Sequence, residues 1–260
     1  MLDETSDTEY DVAVLTSMLA FASLVGVVVL LALSVRHTAL VRADIRLNQQ
    51  RTEAWMNLRQ SLALRAPAPL TTPWTATPAL MVTLVQIIAD HRPRRIVELG
   101  SGFSTMVCAY ALERYADGGH LYSLDHEAQY AQATRELLAR HEHSARATVL
   151  HAPLETVTTE VGKQRWYQID ELVSSLAGEQ IDLLIVDGPP GKAQPLARYP
   201  ALERLQERLA PDAVIVVDDA ARDDEREMMR RWSEVDRFER EDLAVEKGVT
   251  ILRRVPASTA

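Results

Sequence analysis

The hexapeptide VELGSG at residues 97–102 sets a carboxylate, Glu98, two residues ahead of the first of two glycines, Gly100 and Gly102, with Ser101 between them. An apolar run followed by such a turn lets the backbone approach a ligand closely at the end of a strand. A dinucleotide-binding turn carries a third glycine, and here Thr105 stands in that place. A pyrophosphate seated on the turn would also face the Glu98 carboxylate. S-adenosylmethionine avoids this conflict, because it has no phosphate and offers an ammonium and a sulfonium instead. Asp125 closes the next apolar run, LYSLD, where a carboxylate can accept from both hydroxyls of a ribose.

Further along, Asp187 ends the run IDLLIVD, and Asp218 and Asp219 end AVIVVDD. Ligands of open α/β sheets collect at the carboxyl ends of the strands, so the three acids should converge beside the same turn. Methyl transfer from a sulfonium is an in-line displacement, and a hydroxyl acceptor must also lose its proton. Asp187, Lys192 in the following loop, or His126 could take that proton. Alternatively Asp187, Asp218 and Asp219 hold Mg2+, which favours oxygen ligands and acidifies a bound hydroxyl. Asp219 could equally cap the acid-rich helix that follows it. Trp74, Trp166 and Tyr167 are candidates for an acceptor pocket wall or for packing.

These residues require a scaffold of alternating strands and helices. RIVELG, HLYSLD, ATVLHA, IDLLIVD and AVIVVDD read as short strands, with helical stretches such as EAQYAQATRELLARH and YPALERLQERLA between them. That alternation predicts a parallel sheet with helices on both faces. RFEREDLAV and GVTILRR read as two closing strands joined by too short a link for a parallel crossover, so they should pair antiparallel.

The segment from about Pro69 to Arg254 resembles the class I S-adenosylmethionine-dependent methyltransferases. It is similar to a bacterial branch marked by VELGSG, HAPL at 151–154, VDGPPG at 186–191 and DDA at 218–220. The resemblance implies a Rossmann-like seven-stranded sheet with an antiparallel last strand. It implies that Glu98, Gly100, Ser101 and Gly102 hold the methionine part and Asp125 the ribose. His126 and Ala152, Pro153 and Leu154 would flank the adenine, with Asp187 near the sulfonium. Catechol-type relatives place a divalent ion at matching acids. The DGPPGK loop and the Asp-Asp pair depart from their pattern, which leaves Mg2+ an open expectation.

Residues 12–35 contain no charged side chain over 24 positions, while the preceding stretch from Met1 to Asp11 holds five acids. A helix of that length spans roughly 36 Å, enough for a bilayer. Arg36, Arg42, Arg46 and Arg51 follow it, which places the C-terminal side in the cytoplasm and the acidic tail outside. Residues 36–66 read as a juxtamembrane helix and linker, and Pro67, Pro69, Pro73 and Pro78 mark entry to a catalytic domain over 67–255, with a tail at 256–260. That domain is expected to fold without the preceding residues.

Composition narrows the function. With 260 residues, 47% hydrophobic, the chain has room for one large core plus an appendage. A net charge of -9 argues against a nucleic-acid binder. Cys108 is the single cysteine, so neither a disulfide nor a cysteine metal site forms within one chain. The reading is a membrane-anchored methyltransferase, an O-methyltransferase acting on a small-molecule, sugar or lipid-linked acceptor. A non-catalytic S-adenosylmethionine-binding or scaffold module is the alternative.

Overall fold

The computed structural model describes residues 4–68 and 76–255, with side chains from Val14 onward, so Trp74 lies outside the described residues. The chain divides into two units, Met1–Gln50 and Arg51–Ala260. Helix α1 (Glu4–Leu62) runs through both without interruption. Its sequence is rich in Leu, Ala and Val and lacks proline, and Gly26 meets nothing that a side chain would strike. Among the described residues it alone is long and apolar enough to cross a membrane, and its most apolar window is wholly exposed, with Leu15, Phe21, Leu24 and Leu30 bare.

The second unit includes the end of α1. Leu58 and Leu62 are buried in the core, and Trp55 packs against it. The core therefore begins upstream of residue 67, where the sequence alone set the domain's start. The helix stops because Ala63 adopts a left-handed conformation (φ 47°), and the amide of Arg65 then donates to the hydroxyl of Tyr110 at 2.7 Å. Arg65 Nη2 also donates to both carboxylate oxygens of Glu113, at 2.7 and 2.8 Å.

Helix α2 (Pro78–His91) starts on Thr77, whose hydroxyl accepts from the amide of Leu80, with Pro78 in the first turn where its missing N–H costs nothing. The elements that follow are β1 (Arg95–Leu99), α3 (Phe103–Tyr115), β2 (His120–Asp125), α4 (Ala128–Arg140) and β3 (Ala147–His151). Next come β4 (Leu154–Thr159), β5 (Gly162–Tyr167), α5 (Asp170–Leu176), β6 (Ile181–Val186) and α6 (Pro200–Leu205). The chain closes with β7 (Leu209–Asp218), α7 (Asp223–Val235), β8 (Phe238–Leu243) and β9 (Val249–Arg254).

Seven strands form one sheet in the order β3-β2-β1-β6-β7-β9-β8. The first five are parallel, and β9 runs antiparallel to both β7 and β8, as the short closing link requires. Side chains alternate between faces: Ile96 joins one core with Leu84, Met106 and Leu121, whereas Val97 and Leu99 join the other with Leu184, Trp166 and Trp232. Both faces are thus covered, which accounts for the continuous apolar runs. The hairpin β4–β5 was not foreseen. It forms a separate two-stranded sheet and delivers Trp166 and Tyr167 into the core, where both are fully buried. Both pack in the core on that face of the sheet.

Strand order reverses between β1 and β6, and the register pairs Leu99 with Leu124 on one side and with Val186 on the other. Val186 in turn pairs with Val217. Gly100, Asp125, Asp187 and Asp218 consequently end neighbouring strands on one edge, at the crevice where such sheets bind ligands.

Candidate active site at the strand ends

Gly100 and Gly102 carry φ angles of 115° and 136°, which side chains rarely tolerate. A Cβ on Gly102 would meet nothing within 4 Å, so the turn opens onto free space. Thr105, the residue in place of a third glycine, ties the turn together. Its hydroxyl donates to Glu98 Oε2 at 2.6 Å and accepts from the Gly102 amide at 2.9 Å. Ser123 donates to the Gly100 carbonyl at 2.8 Å from the next strand.

Glu98 is 1% exposed, and its Oε1 has no hydrogen-bond partner among the described residues. Burial pushes its pKa up to about 7, opposed by the hydroxyls of Ser104, Thr105 and Ser123, which favour the ionised form. An unmatched buried acceptor beside an open glycine turn suits a cationic donor such as an ammonium. Asp125 accepts from the Ser101 hydroxyl at 2.6 Å through Oδ2 and from the Glu127 amide at 3.0 Å through Oδ1. Each oxygen retains a second lone pair for a further donor. His126 sits half-buried 3.7 Å from Asp125 Oδ1, edge-on to the Tyr167 ring. The amide of Ala152 donates to the Asp125 carbonyl at 2.7 Å, which brings residues 152–154 beside that strand end; Pro153 is exposed and Leu154 opens β4.

On the other side of the turn, an added Cβ on Gly100 would lie 3.7 Å from Asp187 Cβ, so the glycine turn abuts the acids directly. Asp187, Asp218 and Asp219 each offer an oxygen within 4.8 Å of the others. Asp218 and Asp219 are buried, and the Oδ1 atom of each lacks a hydrogen-bond partner among the described residues. Burial first, then repulsion from Asp218, raises Asp187 well above the usual carboxylate range, while Arg198 pulls it back. Burial and Asp219 likewise raise Asp218. Lys192 lies exposed in the loop after β6.

The residue that holds these acids together escaped the sequence reading. Arg198, 3% exposed, donates to Asp219 Oδ2 at 3.0 Å, to Asp187 Oδ1 at 3.4 Å and to the Asp218 carbonyl at 2.9 Å, with Glu225 Oε1 at 3.6 Å. Arg222 adds a contact to Asp219 at 2.8 Å. Arg198 sits in LARYP with no spacing that ties it to acids on other elements. Its one signal is a charge flanked by apolar residues and proline. Gly188 was also missed as a packing requirement: any side chain there would strike the Tyr167 hydroxyl.

A parallel sheet that reverses order at its glycine turn, with an acid at the end of each neighbouring strand, is the architecture of the class I methyltransferases. The family comparison agrees, since residues 97–220 match Methyltransf_24, described as a methyltransferase domain. Solved structures of the same fold include the O-methyltransferase from Bacillus cereus in complex with SAH, at TM-score 0.53 and 17% identity, covering 78% of this chain and 90% of that one. The SAH-bound Podospora anserina methyltransferase PaMTH1 matches with TM-score 0.53 and 18% identity over 78% of this chain and 86% of its own. TomG from Streptomyces achromogenes, an O-methyltransferase in complex with SAM, gives TM-score 0.53 and 16% identity over 78% and 90%. A search of curated protein sequences finds no match. Residues 97–220 thus match a methyltransferase domain, and the sheet that carries them has the fold of these S-adenosylmethionine- and SAH-bound methyltransferases.

Proposed function

We propose that this protein transfers the methyl group of S-adenosylmethionine to a hydroxyl of a small-molecule, sugar or lipid-linked acceptor at the cytoplasmic face of a membrane, with the apolar part of α1 as its anchor. The observation that carries the reading is the contact of the glycine turn with the acid cluster across Gly100 and Asp187. A cationic cofactor seated on the turn would lie beside a proton-accepting group. Solved structures that share the fold include O-methyltransferases, which supports the choice of oxygen.

In this reading Glu98 Oε1 receives the methionine ammonium and Asp125 receives the ribose hydroxyls, with Ser101 fixing the Asp125 rotamer. The acceptor hydroxyl gives its proton to Asp187. Its oxygen lone pair forms the new C–O bond while the C–S electrons return to sulfur, leaving a neutral thioether. Burial favours this role, because a carboxylate with a raised pKa is the stronger base.

The acid cluster also fits a divalent ion. Asp187, Asp218, Asp219 and Glu225 face Arg198 and Arg222, with Lys247 also acting on Asp218, so acids outnumber bases; among the described residues Asp218 and Asp219 each keep a buried oxygen without a partner. Asp187, Asp218 and Asp219 would hold Mg2+, which acidifies a bound hydroxyl when present.

Titration calorimetry with S-adenosylmethionine tests the cofactor half. Asp125→Ala should weaken binding by roughly 1 to 3 kcal/mol, and unchanged affinity would remove the ribose assignment. Lipid and metabolite profiling of a deletion strain should reveal an acceptor lighter by one methylene. Methyl transfer to it should fall on chelation and return with added Mg2+; full activity in excess chelator would remove the metal and leave Asp187 as base.

A further inference from the structure

The end of α1 reaches the methyl-transfer edge of the sheet at two points. The Trp55 ring stacks on Phe103, with centroids 5.3 Å apart and planes 28° from parallel. Phe103 is the first residue of α3, joined by one peptide bond to Gly102 in the cofactor turn. One helical turn earlier, Arg51 pairs with Glu246 in the β8–β9 loop, Nε lying 3.1 Å from Oε2. That loop in turn accepts hydrogen bonds from the residues after the acid pair, Ala220 to Gly248 at 3.0 Å and Ala221 to Lys247 at 3.1 Å.

The two contacts differ in strength. The Arg51–Glu246 pair is partly exposed and contributes little on its own. The stacked rings bury one face of a 7%-exposed Phe103 at the position where α3 leaves the turn. The backbone at Gly102 has an open side and a φ that glycine adopts freely, and the Thr105 hydroxyl is its side-chain tie. A ring clamped immediately after it restricts the remaining freedom of the turn, so that less order has to be imposed when a ligand binds.

We propose that Trp55 is a positioning residue for the cofactor turn, acting through Phe103, so that the last turns of α1 belong to the methyl-transfer site as well as to its attachment. This rests on the cofactor reading above. It also assigns a role to a residue far upstream of the glycine motif.

The test is calorimetric binding of S-adenosylmethionine to the full-length chain in detergent micelles, with thermal melting of each variant alongside. Trp55→Ala should weaken binding by roughly three- to tenfold, the scale of one aromatic pair. Trp55→Phe, which keeps a ring on Phe103, should stay within about twofold of the parent. Leu58→Ala removes core packing from the same helix while leaving both rings, and should lower the melting temperature without a matching loss of affinity. Native affinity in folded Trp55→Ala overturns the proposal, as does an equal loss in Trp55→Ala and Leu58→Ala. If Trp55→Ala does not fold, a Trp55→Phe variant with tenfold weaker binding overturns it instead. A parent chain that binds no S-adenosylmethionine fails the cofactor reading itself, which is a different outcome from a parent that binds and variants that do not respond.

Discussion

Replacing Glu98 by glutamine keeps the size of the side chain and removes a carboxyl whose proton burial retains until about pH 7. Relative to its ordinary value of 4.5, the rise amounts to about 3 kcal/mol of penalty on the ionised form. The sign follows from linkage. Because the folded pKa is raised, the stability associated with the bound proton is fully present below 4.5 and is lost as pH rises through about 7. A ligand ammonium placed against the unpartnered Oε1 reverses the preference and favours the carboxylate. Binding therefore requires the proton to leave, and affinity should increase about tenfold per pH unit below neutrality and flatten above it. At pH 6 the site should bind roughly tenfold more weakly than at pH 8. The assay is calorimetry from pH 5.5 to 8 in buffers of different ionisation enthalpy, which counts the protons released. Glu98→Gln should bind more weakly at pH 8, lose the slope, and melt higher than the parent at that pH. A parent whose affinity is flat from pH 5.5 to 7, or a Glu98→Gln variant with the same slope, would refute the reasoning.

Two further outcomes are expected. Arg198→Met leaves Asp187, Asp219 and Glu225 without their shared guanidinium and should cost roughly 3 to 5 kcal/mol, the scale of breaking a buried ion pair; a melting temperature within a degree of the parent would show that the acids are neutralised another way. A chain beginning at Arg51 should melt cooperatively, whereas one beginning at Pro67 lacks Leu58, Leu62 and the Arg65–Glu113 pair and should melt well below it. Equal melting temperatures would return the start of the domain to residue 67.

Local pattern determined the elements that carry their own signal. Short apolar runs announced β1, β2, β3, β6 and the end of β7, all but β3 closing on Gly or Asp, because a strand covered on both faces is largely apolar. The short link before the last strand made it antiparallel, since no crossover fits there. Glycines spaced around Ser101 marked the turn, because few other residues accept its φ angles. Acids at strand ends were readable as a group once the sheet was inferred, as parallel strands bring their C-termini to one edge.

The tertiary structure decided whatever depended on partners distant in sequence. The hairpin β4–β5 has polar residues along one side and shows its burial only where Trp166 and Tyr167 meet the sheet. Thr105 read as the absence of a glycine until its hydroxyl was found between Glu98 and the Gly102 amide. Nor could composition show that the end of α1 belongs to the core, because Trp55, Leu58 and Leu62 acquire meaning only through α2 and α3. Most of all, the charge balance of the acid cluster lies outside the sequence pattern. A carboxylate at a strand end is local information, but the arginine that compensates it comes from a different loop, and only folding brings Arg198 within 3.4 Å of Asp187 and 3.0 Å of Asp219.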